Sequence, residues 1–212
     1  MNRNNKKYLV FGCYSSFLLS ILTAIPPVGP YCSGNCMEYP FPDILLYYPR
    51  DYYWMYLAVF QLFAFVIFNV ANHFIVNASK KHFTFLSISF TLISSTVLLI
   101  AYFTQFSVVP ISVMKGEAEG IALLTQYNEH GLFIAMEELG YITMSIALFF
   151  LAFAFSKNSR TEKIIRIILI SQLILTVIAF LFYSIKCCNY NHKLASINIH
   201  WYYDWTSLQK KY

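Results

Sequence analysis

Charged side chains are scarce in this chain of 212 residues. Asp, Glu, Lys and Arg make up 12% of it, whereas an ordinary soluble domain carries about 25%. Apolar residues make up 58% of the sequence and aromatic residues 19%. This composition excludes the soluble globular class and indicates a protein whose surroundings are a lipid bilayer.

The motifs of common enzyme and nucleotide-binding classes are missing as well. The sequence has no glycine-rich phosphate loop, no nucleophile elbow, no His-Glu-x-x-His and no Cys-x-x-Cys. No motif in the sequence indicates a cofactor. The net charge of +5 would suit a nucleic acid, but the basic residues lie in short connectors beside apolar runs. We therefore expect the lipid bilayer as a partner and no nucleic acid.

Five apolar runs, each about one bilayer thick, organise the chain. A helix rises about 1.5 Å per residue, so some 20 residues cross a hydrocarbon core of about 30 Å. The sequence predicts an all-α fold, a polytopic bundle of about five transmembrane spans within residues 1–185. The spans are predicted near residues 8–25, 54–74, 83–104, 132–155 and 164–185. The first also has the layout of a secretory signal, but its length favours a retained membrane anchor.

The connectors predict the orientation of these spans. The basic head, the turn with Lys80 and Lys81, and the segment with Arg160 fall on one side, which we expect to be cytoplasmic together with the N-terminus. The loops at 26–53 and 105–131 then face outward. The aromatic residues where the second span begins predict an interfacial belt rather than a ligand cage; they are Tyr47, Tyr48, Tyr52, Tyr53 and Trp54.

The tail at 186–212 does not fit this pattern, because it is basic although five spans place it outside. It is either an interfacial segment or the remnant of a lost sixth helix. In the first outer loop, Cys32 and Cys36 flank a Ser-Gly-Asn turn, and an oxidising outer face favours a disulfide over metal binding. No metal site is predicted, and the partners of Cys187 and Cys188 stay open.

Two adjacent acids in the fourth span, Glu137 and Glu138, are the main functional lead. An ionised carboxylate at the centre of a membrane helix costs about 2.5 to 3.5 kcal/mol on insertion scales, so each needs a partner, a proton or water. Both lie about two turns from Gly131 at the outer end of the span. We predict an outward-facing polar site that also includes His130, Tyr141, Tyr102, Gln105 and Gln61.

Three functions remain open at this point. The first is binding of a ligand or ion at this site, in transport or sensing. The second is a membrane-embedded enzyme acting on a lipid, with Glu137 or Glu138 as acid or base together with His130. The third is a structural or accessory subunit whose acids only pair across helices. The chain is small and has no inverted repeat, so a transporter would need to be a homo-oligomer or to have a membrane partner.

Three segments carry a resemblance to a known family. They are Pro-Arg-Asp-Tyr-Tyr-Trp-Met-Tyr at 49–56, Leu-Leu-Thr-Gln-Tyr-Asn-Glu-His-Gly at 123–131 and Glu-Glu-Leu-Gly-Tyr at 137–141. With them the chain resembles a family of uncharacterised prokaryotic integral membrane proteins. The resemblance implies a polytopic fold in the cell membrane and highlights Arg50, Asp51, His130 and the two glutamates, but it implies no activity. That family often has proline at the place of Glu129 and continues into a final apolar helix, which implies a truncated C-terminus or an altered reading frame here.

Overall fold

The computed structural model describes residues 37–117, 119–156, 160 and 162–182. All the regular structure of this part is helical, which confirms the predicted fold class. The helices are α1 Ile44–Tyr47, α2 Tyr53–Ile75, α3 Lys81–Ser107, α4 Val109–Met114, α5 Ile121–Leu124, α6 Leu132–Ala154 and α7 Glu162–Phe182. Short 3₁₀ turns at Arg50–Tyr52 and Ala78–Lys80 precede α2 and α3.

Four of these helices, α2, α3, α6 and α7, are long and apolar enough to cross a membrane. They lie where the sequence predicts the second to fifth spans, and α3 starts two residues earlier and ends three residues later than expected. The predicted first span, the tail and all four cysteines singled out above lie outside the described residues. By its contacts the chain divides into residues 1–173 and 174–212, and the described part of the second unit is the end of α7.

Large apolar side chains cover the outer faces of the long helices. Phe60, Phe63, Ile100 and Phe103 are all more than half exposed. Contiguous exposed apolar surface of this extent is unfavourable in water and suits a helix whose outer face meets lipid. The described helices are therefore those of a membrane protein.

Helix α3 lies between α2 and α6 and packs against both, more extensively against α6. Its buried residues recur at alternating steps of three and four, the repeat of helices that pack side by side at a small angle. The series is Thr84, Ser87, Thr91, Ser94, Leu98, Ala101 and Gln105. Most of these side chains are small or carry a hydroxyl, which lets neighbouring helices approach closely within a membrane.

Gly140 is the point of closest approach between α6 and α3. A Cβ atom added there would lie 2.5 Å from Cγ of Leu98, and the Ser94 hydroxyl donates a 2.8 Å hydrogen bond to the Gly140 carbonyl oxygen. Ala147 and Ala154 continue the buried stripe of α6 at seven-residue intervals. Small residues on one helix therefore make room for Leu98 of the other.

Polar side chains join α2 to α3 inside the bundle. Ser87 donates to the Asn69 side-chain oxygen at 2.7 Å, and Nδ1 of His73 lies 2.8 Å from the Thr84 hydroxyl. Thr84 donates its single proton to the Lys81 carbonyl oxygen, so Nδ1 of His73 must be the donor in the other bond. Hydrogen bonds thus hold the two helices together. Such bonds matter in a membrane because the hydrophobic effect does not drive helices to associate there.

The segments 37–52 and 108–131 fold into a cap over one end of the bundle, which we call the capped end. Their buried residues continue the core of the helices; they include Met37, Phe41, Ile44, Tyr52, Val109, Ile121 and Tyr127. At Gly131, where the cap joins α6, a Cβ atom would lie 2.8 Å from the Leu123 carbonyl oxygen, so the chain turns tightly there. The two predicted loops are therefore a packed layer with its own buried core.

Candidate functional site

Glu137 belongs to the stripe of α6 that faces α3. Phe133, Gly140 and Ala147 of this stripe are buried, and Glu137 falls between the first two at the same alternating spacing. Its side chain is half-buried. Glu138 follows about 100° further round the helix, off this stripe, and is also half-buried. The helix geometry therefore gives the two acids different neighbours.

The Glu137 carboxyl interacts with the phenol of Tyr102, which bonds in turn to Tyr141, and we call Glu137, Tyr102 and Tyr141 the Glu137 cluster. The Tyr102 and Tyr141 hydroxyls are 2.9 Å apart, and the Tyr102 hydroxyl also interacts with the Glu137 carboxyl. Tyr102 is 1% exposed, whereas Tyr141 is 45% exposed. Within the described residues, the side chain that acts on this carboxyl is the Tyr102 hydroxyl and not a cation. The cluster can thus hold a proton or receive a cation.

Aromatic rings fix Tyr102 in place. The Trp54 ring meets the Tyr102 ring edge-on with centroids 5.3 Å apart, and the Phe133 ring lies 6.1 Å away on α6. Trp54 comes from α2, so the three long helices α2, α3 and α6 all contribute to the surroundings of the Tyr102 hydroxyl. The Trp54 indole nitrogen is buried and has no hydrogen-bond partner among the described residues.

The other predicted site residues take different places. Gln105 is fully buried, and its amide holds the cap: Nε2 donates to the Leu124 carbonyl oxygen at 2.6 Å, and Oε1 accepts from the Gln126 backbone N–H at 2.8 Å. His130 is exposed in the cap, where its backbone N–H donates to the Asn128 side-chain oxygen. Gln61 is half-buried on α2. The structure thus brings together Glu137, Tyr102 and Tyr141, while Gln105 has a structural role in the cap.

A second polar group was not foreseen in the sequence. The Tyr52 and Tyr127 hydroxyls and Nε2 of Gln126 are buried and interact with one another, but without the geometry of a proper hydrogen bond. Asp51 beside them is fully buried. Burial raises the pKa of Tyr127, and the neighbouring Tyr52 and Asp51 raise it further. Tyr52 is 0% exposed, so the predicted interfacial belt is wrong for this residue, because the cap encloses it.

The opposite end of the bundle holds a polar cavity. Lys80 donates to the carbonyl oxygens of Ala154 and Phe155, at 3.2 and 2.9 Å, and so satisfies the last carbonyls of α6 with a positive charge. A cavity of ≈ 210 Å³ opens beside it, lined by Asn72, Ile75, Val76, Asn77, Lys80, Ala154, Phe155, Ser156 and Glu162. Ser156 donates to the Glu162 carboxylate at the edge of this cavity.

The fold defines the chain as an all-helical membrane protein with a polar cluster at the capped end of its helices. Comparison with family models, with curated proteins and with solved structures gives no match. The resemblance in the three sequence segments therefore stays a prediction. Within the described residues, no group of three or more His, Cys, Asp and Glu side chains is placed to hold a metal ion.

Proposed function

We propose that this chain is a multi-pass protein of a prokaryotic cell membrane with a cytoplasmic N-terminus, and that its outward-facing half binds a small cation or a hydrogen-bonding ligand at the Glu137 cluster, in transport or sensing. The supporting observation is the half-buried carboxyl in the helix stripe that faces α3, where the Tyr102 hydroxyl interacts with it and in turn bonds to the Tyr141 hydroxyl. A carboxylate without a cation among its described neighbours has the charge to attract one.

Charge supports the orientation. The end opposite the cap carries Lys80, Lys81, Arg160, Lys163 and Arg166, whereas the described residues of the cap include two basic residues, Arg50 and Lys115, against Glu117, Glu119 and Glu129. Basic residues next to membrane helices favour the cytoplasmic side. The capped end and the Glu137 cluster beneath it would then lie on the outer side. An outward position suits a site that samples a ligand from outside the cell.

The two other functions receive less support. A lipid-modifying enzyme that pairs His130 with Glu137 needs these groups close together, yet His130 is exposed in the cap about two turns away along the chain. The contact with Tyr102 is compatible with a purely structural role, because a carboxyl and a phenol can join two membrane helices, but it does not favour that role over binding. The experiment must therefore separate ligand binding from helix packing.

The test is the thermal stability of the detergent-purified protein with Na⁺, K⁺, Mg²⁺, Ca²⁺ or anionic phospholipid, for wild type, Glu137→Gln and Glu138→Gln. A ligand at 100 times its Kd stabilises the folded state by about 2.7 kcal/mol. We expect one of these probes to stabilise wild type and Glu138→Gln but not Glu137→Gln. If no probe stabilises wild type and Glu137→Gln is as stable as wild type, the glutamate is a packing residue and the proposed site is wrong.

A further inference from the structure

Hydroxyl side chains form a column along the buried side of α3. Thr84, Ser87, Thr91 and Ser95 follow one another at steps of three or four residues, and all four are buried. A rise of about 1.5 Å per residue makes the column roughly 16 Å long, about half the thickness of the hydrocarbon core. By itself such a column only allows helices to pack closely.

Two members of this column have hydroxyls without a partner. Thr91 is 1% exposed and Ser95 is 4% exposed, and neither Oγ atom forms a hydrogen bond among the described residues. Other hydroxyls of the same helix donate to the carbonyl four residues earlier, as Ser89 and Thr104 do at 3.0 and 2.7 Å. A buried polar group without a partner is costly, so a hydrogen-bonding species next to Thr91 and Ser95 would be favourable.

The column begins near the polar cavity at the basic end. Asn72 lines that cavity, and the next residue, His73, bonds to Thr84 at the start of the column. One turn further, Ser87 bonds to Asn69 of α2. Polar side chains therefore recur at each turn of α3 from Thr84 to Ser95. Among these described residues no hydrogen bond joins Ser87 to Thr91 or Thr91 to Ser95, so a path along the column needs water beside these last two hydroxyls. His73, Lys80 and Glu162 are titratable groups at this end of the bundle.

An apolar barrier separates the column from the Glu137 cluster. Tyr102 lies seven residues beyond Ser95, a rise of roughly 10 Å, and Leu98 and Ala101 between them are fully buried. Leu98 packs directly on Gly140. A proton passes between groups at hydrogen-bond distance, so it cannot cross this interval until water enters beside Leu98.

We propose that the protein moves protons between the Glu137 cluster and the cavity at the basic end, with Leu98 against Gly140 as the gate. The inference rests on the proposed function, since it makes the proton a ligand of Glu137. In each step an oxygen or nitrogen accepts a proton on one side and releases its own on the other. Only O–H and N–H bonds form and break, the sum is one H⁺ moved, and no oxidant or reductant takes part.

The test uses the full chain in phospholipid vesicles that enclose a pH-sensitive dye, with a potassium diffusion potential as the driving force. We expect wild type to change the internal pH faster than protein-free vesicles do. The double variant Thr91→Val with Ser95→Ala keeps the shapes of the side chains almost unchanged, and it should slow this rate about tenfold or more. The matched control is Thr96→Val with Ser89→Ala on the same helix, because Thr96 is exposed and Ser89 already bonds to the Phe85 carbonyl.

Leu98→Ala should raise the rate of proton movement several-fold, because it removes the side chain that fills the gate. If that variant does not fold, the comparison of the Thr91→Val and Ser95→Ala double variant with its matched control is the test. Equal rates for wild type, the double variant and its control, or no rate above that of protein-free vesicles, would overturn the inference. Ligand-dependent stabilisation of wild type in detergent would survive such a result, which separates the failure of this inference from the failure of the proposed site.

Discussion

Gly140→Ala tests the close contact between α3 and α6. The new methyl carbon would lie 2.5 Å from Cγ and 2.6 Å from Cδ2 of Leu98, about 1 Å less than the roughly 3.5 Å at which carbon atoms attract each other. Leu98 is fully buried, and the Ser94 bond to the Gly140 carbonyl holds the two backbones together. Neither helix can move away without losing this contact.

The expected change in the free energy of unfolding is the balance of two opposing effects. Overpacking of this kind costs about 1–3 kcal/mol, whereas exchanging glycine for alanine inside a helix gains up to about 1 kcal/mol. Because the contact is about 1 Å too short and Leu98 is fully buried, the overpacking cost should lie in the upper part of its range, at about 2–3 kcal/mol. We therefore expect Gly140→Ala to lower the free energy of unfolding by about 1–2 kcal/mol. The assay is unfolding by SDS titration in mixed micelles, followed by the tryptophan fluorescence.

A second variant makes the reasoning specific to Leu98. In the background Leu98→Ala, the space left by the leucine accepts the new methyl group, so Gly140→Ala should then cost nothing or stabilise the protein. The coupling between the two positions should be about 1–3 kcal/mol. If Gly140→Ala leaves the wild-type stability unchanged, or if its cost is the same in both backgrounds, the described contact between Leu98 and Gly140 is wrong.

Three further predictions concern the cap and the basic end. Gln105→Ala should speed hydrogen exchange at the Gln126 amide and lower the free energy of unfolding by about 1–3 kcal/mol, since it removes the partner of two part-buried backbone groups. Thr104→Ala is the control, and equal effects of the two would contradict the role of Gln105. Lys80→Met should lower the melting temperature because two charged hydrogen bonds to α6 are lost, whereas Lys81→Met, at an exposed position, should not. Burial raises the pKa of Tyr127 above the value of about 10 that a tyrosine has in the unfolded state. Near and above a pH of about 10 the unfolded state therefore binds fewer protons than the folded one, and stability falls as the pH rises. Tyr127→Phe should make this fall less steep in unfolding titrations between about pH 9 and 11, and an unchanged slope would refute the prediction.

The positions of the long helices were predictable because a membrane span needs an uninterrupted apolar run of about 20 residues. The inward stripe of α6 was partly predictable too, since Glu137 and Tyr141 are four residues apart and must share a face. Tyr102 was predicted as a partner from its depth in the third span. In the structure, the Tyr102 hydroxyl lies beside Glu137 and Tyr141.

The choice of helix neighbours was not predictable in the same way. Lipid-facing and buried surfaces are both apolar in a membrane, so the sequence has no amphipathic signal to say that α3 lies between α2 and α6. One usable signal was present: Gly140, Ala147 and Ala154 repeat at seven residues and mark the close side of α6. This repeat was not recognised in the sequence.

The buried residues of the cap were the hardest to predict from the sequence. They come from short helices and loops without a long apolar repeat, and the buried Tyr52 is followed directly by the exposed Tyr53. Only the fold of the segments 37–52 and 108–131 decides which of the two rings is enclosed. The hydrogen bonds of the Gln105 amide were not predictable for the same reason, because its partners Leu124 and Gln126 lie in the segment 105–131, which the sequence predicts only as a loop.

The most direct test of the central claim is the reach of water from outside to position 137. The five native cysteines are replaced, and Glu137→Cys, Leu139→Cys and His130→Cys are exposed in intact cells to a membrane-impermeant thiol reagent. Leu139 is 54% exposed on the side of α6 that we assign to lipid, and His130 lies in the exposed cap. We predict reaction at position 130 and, more slowly, at 137, but none at 139. Labelling at 137 no faster than at 139 would contradict an outward-facing polar site.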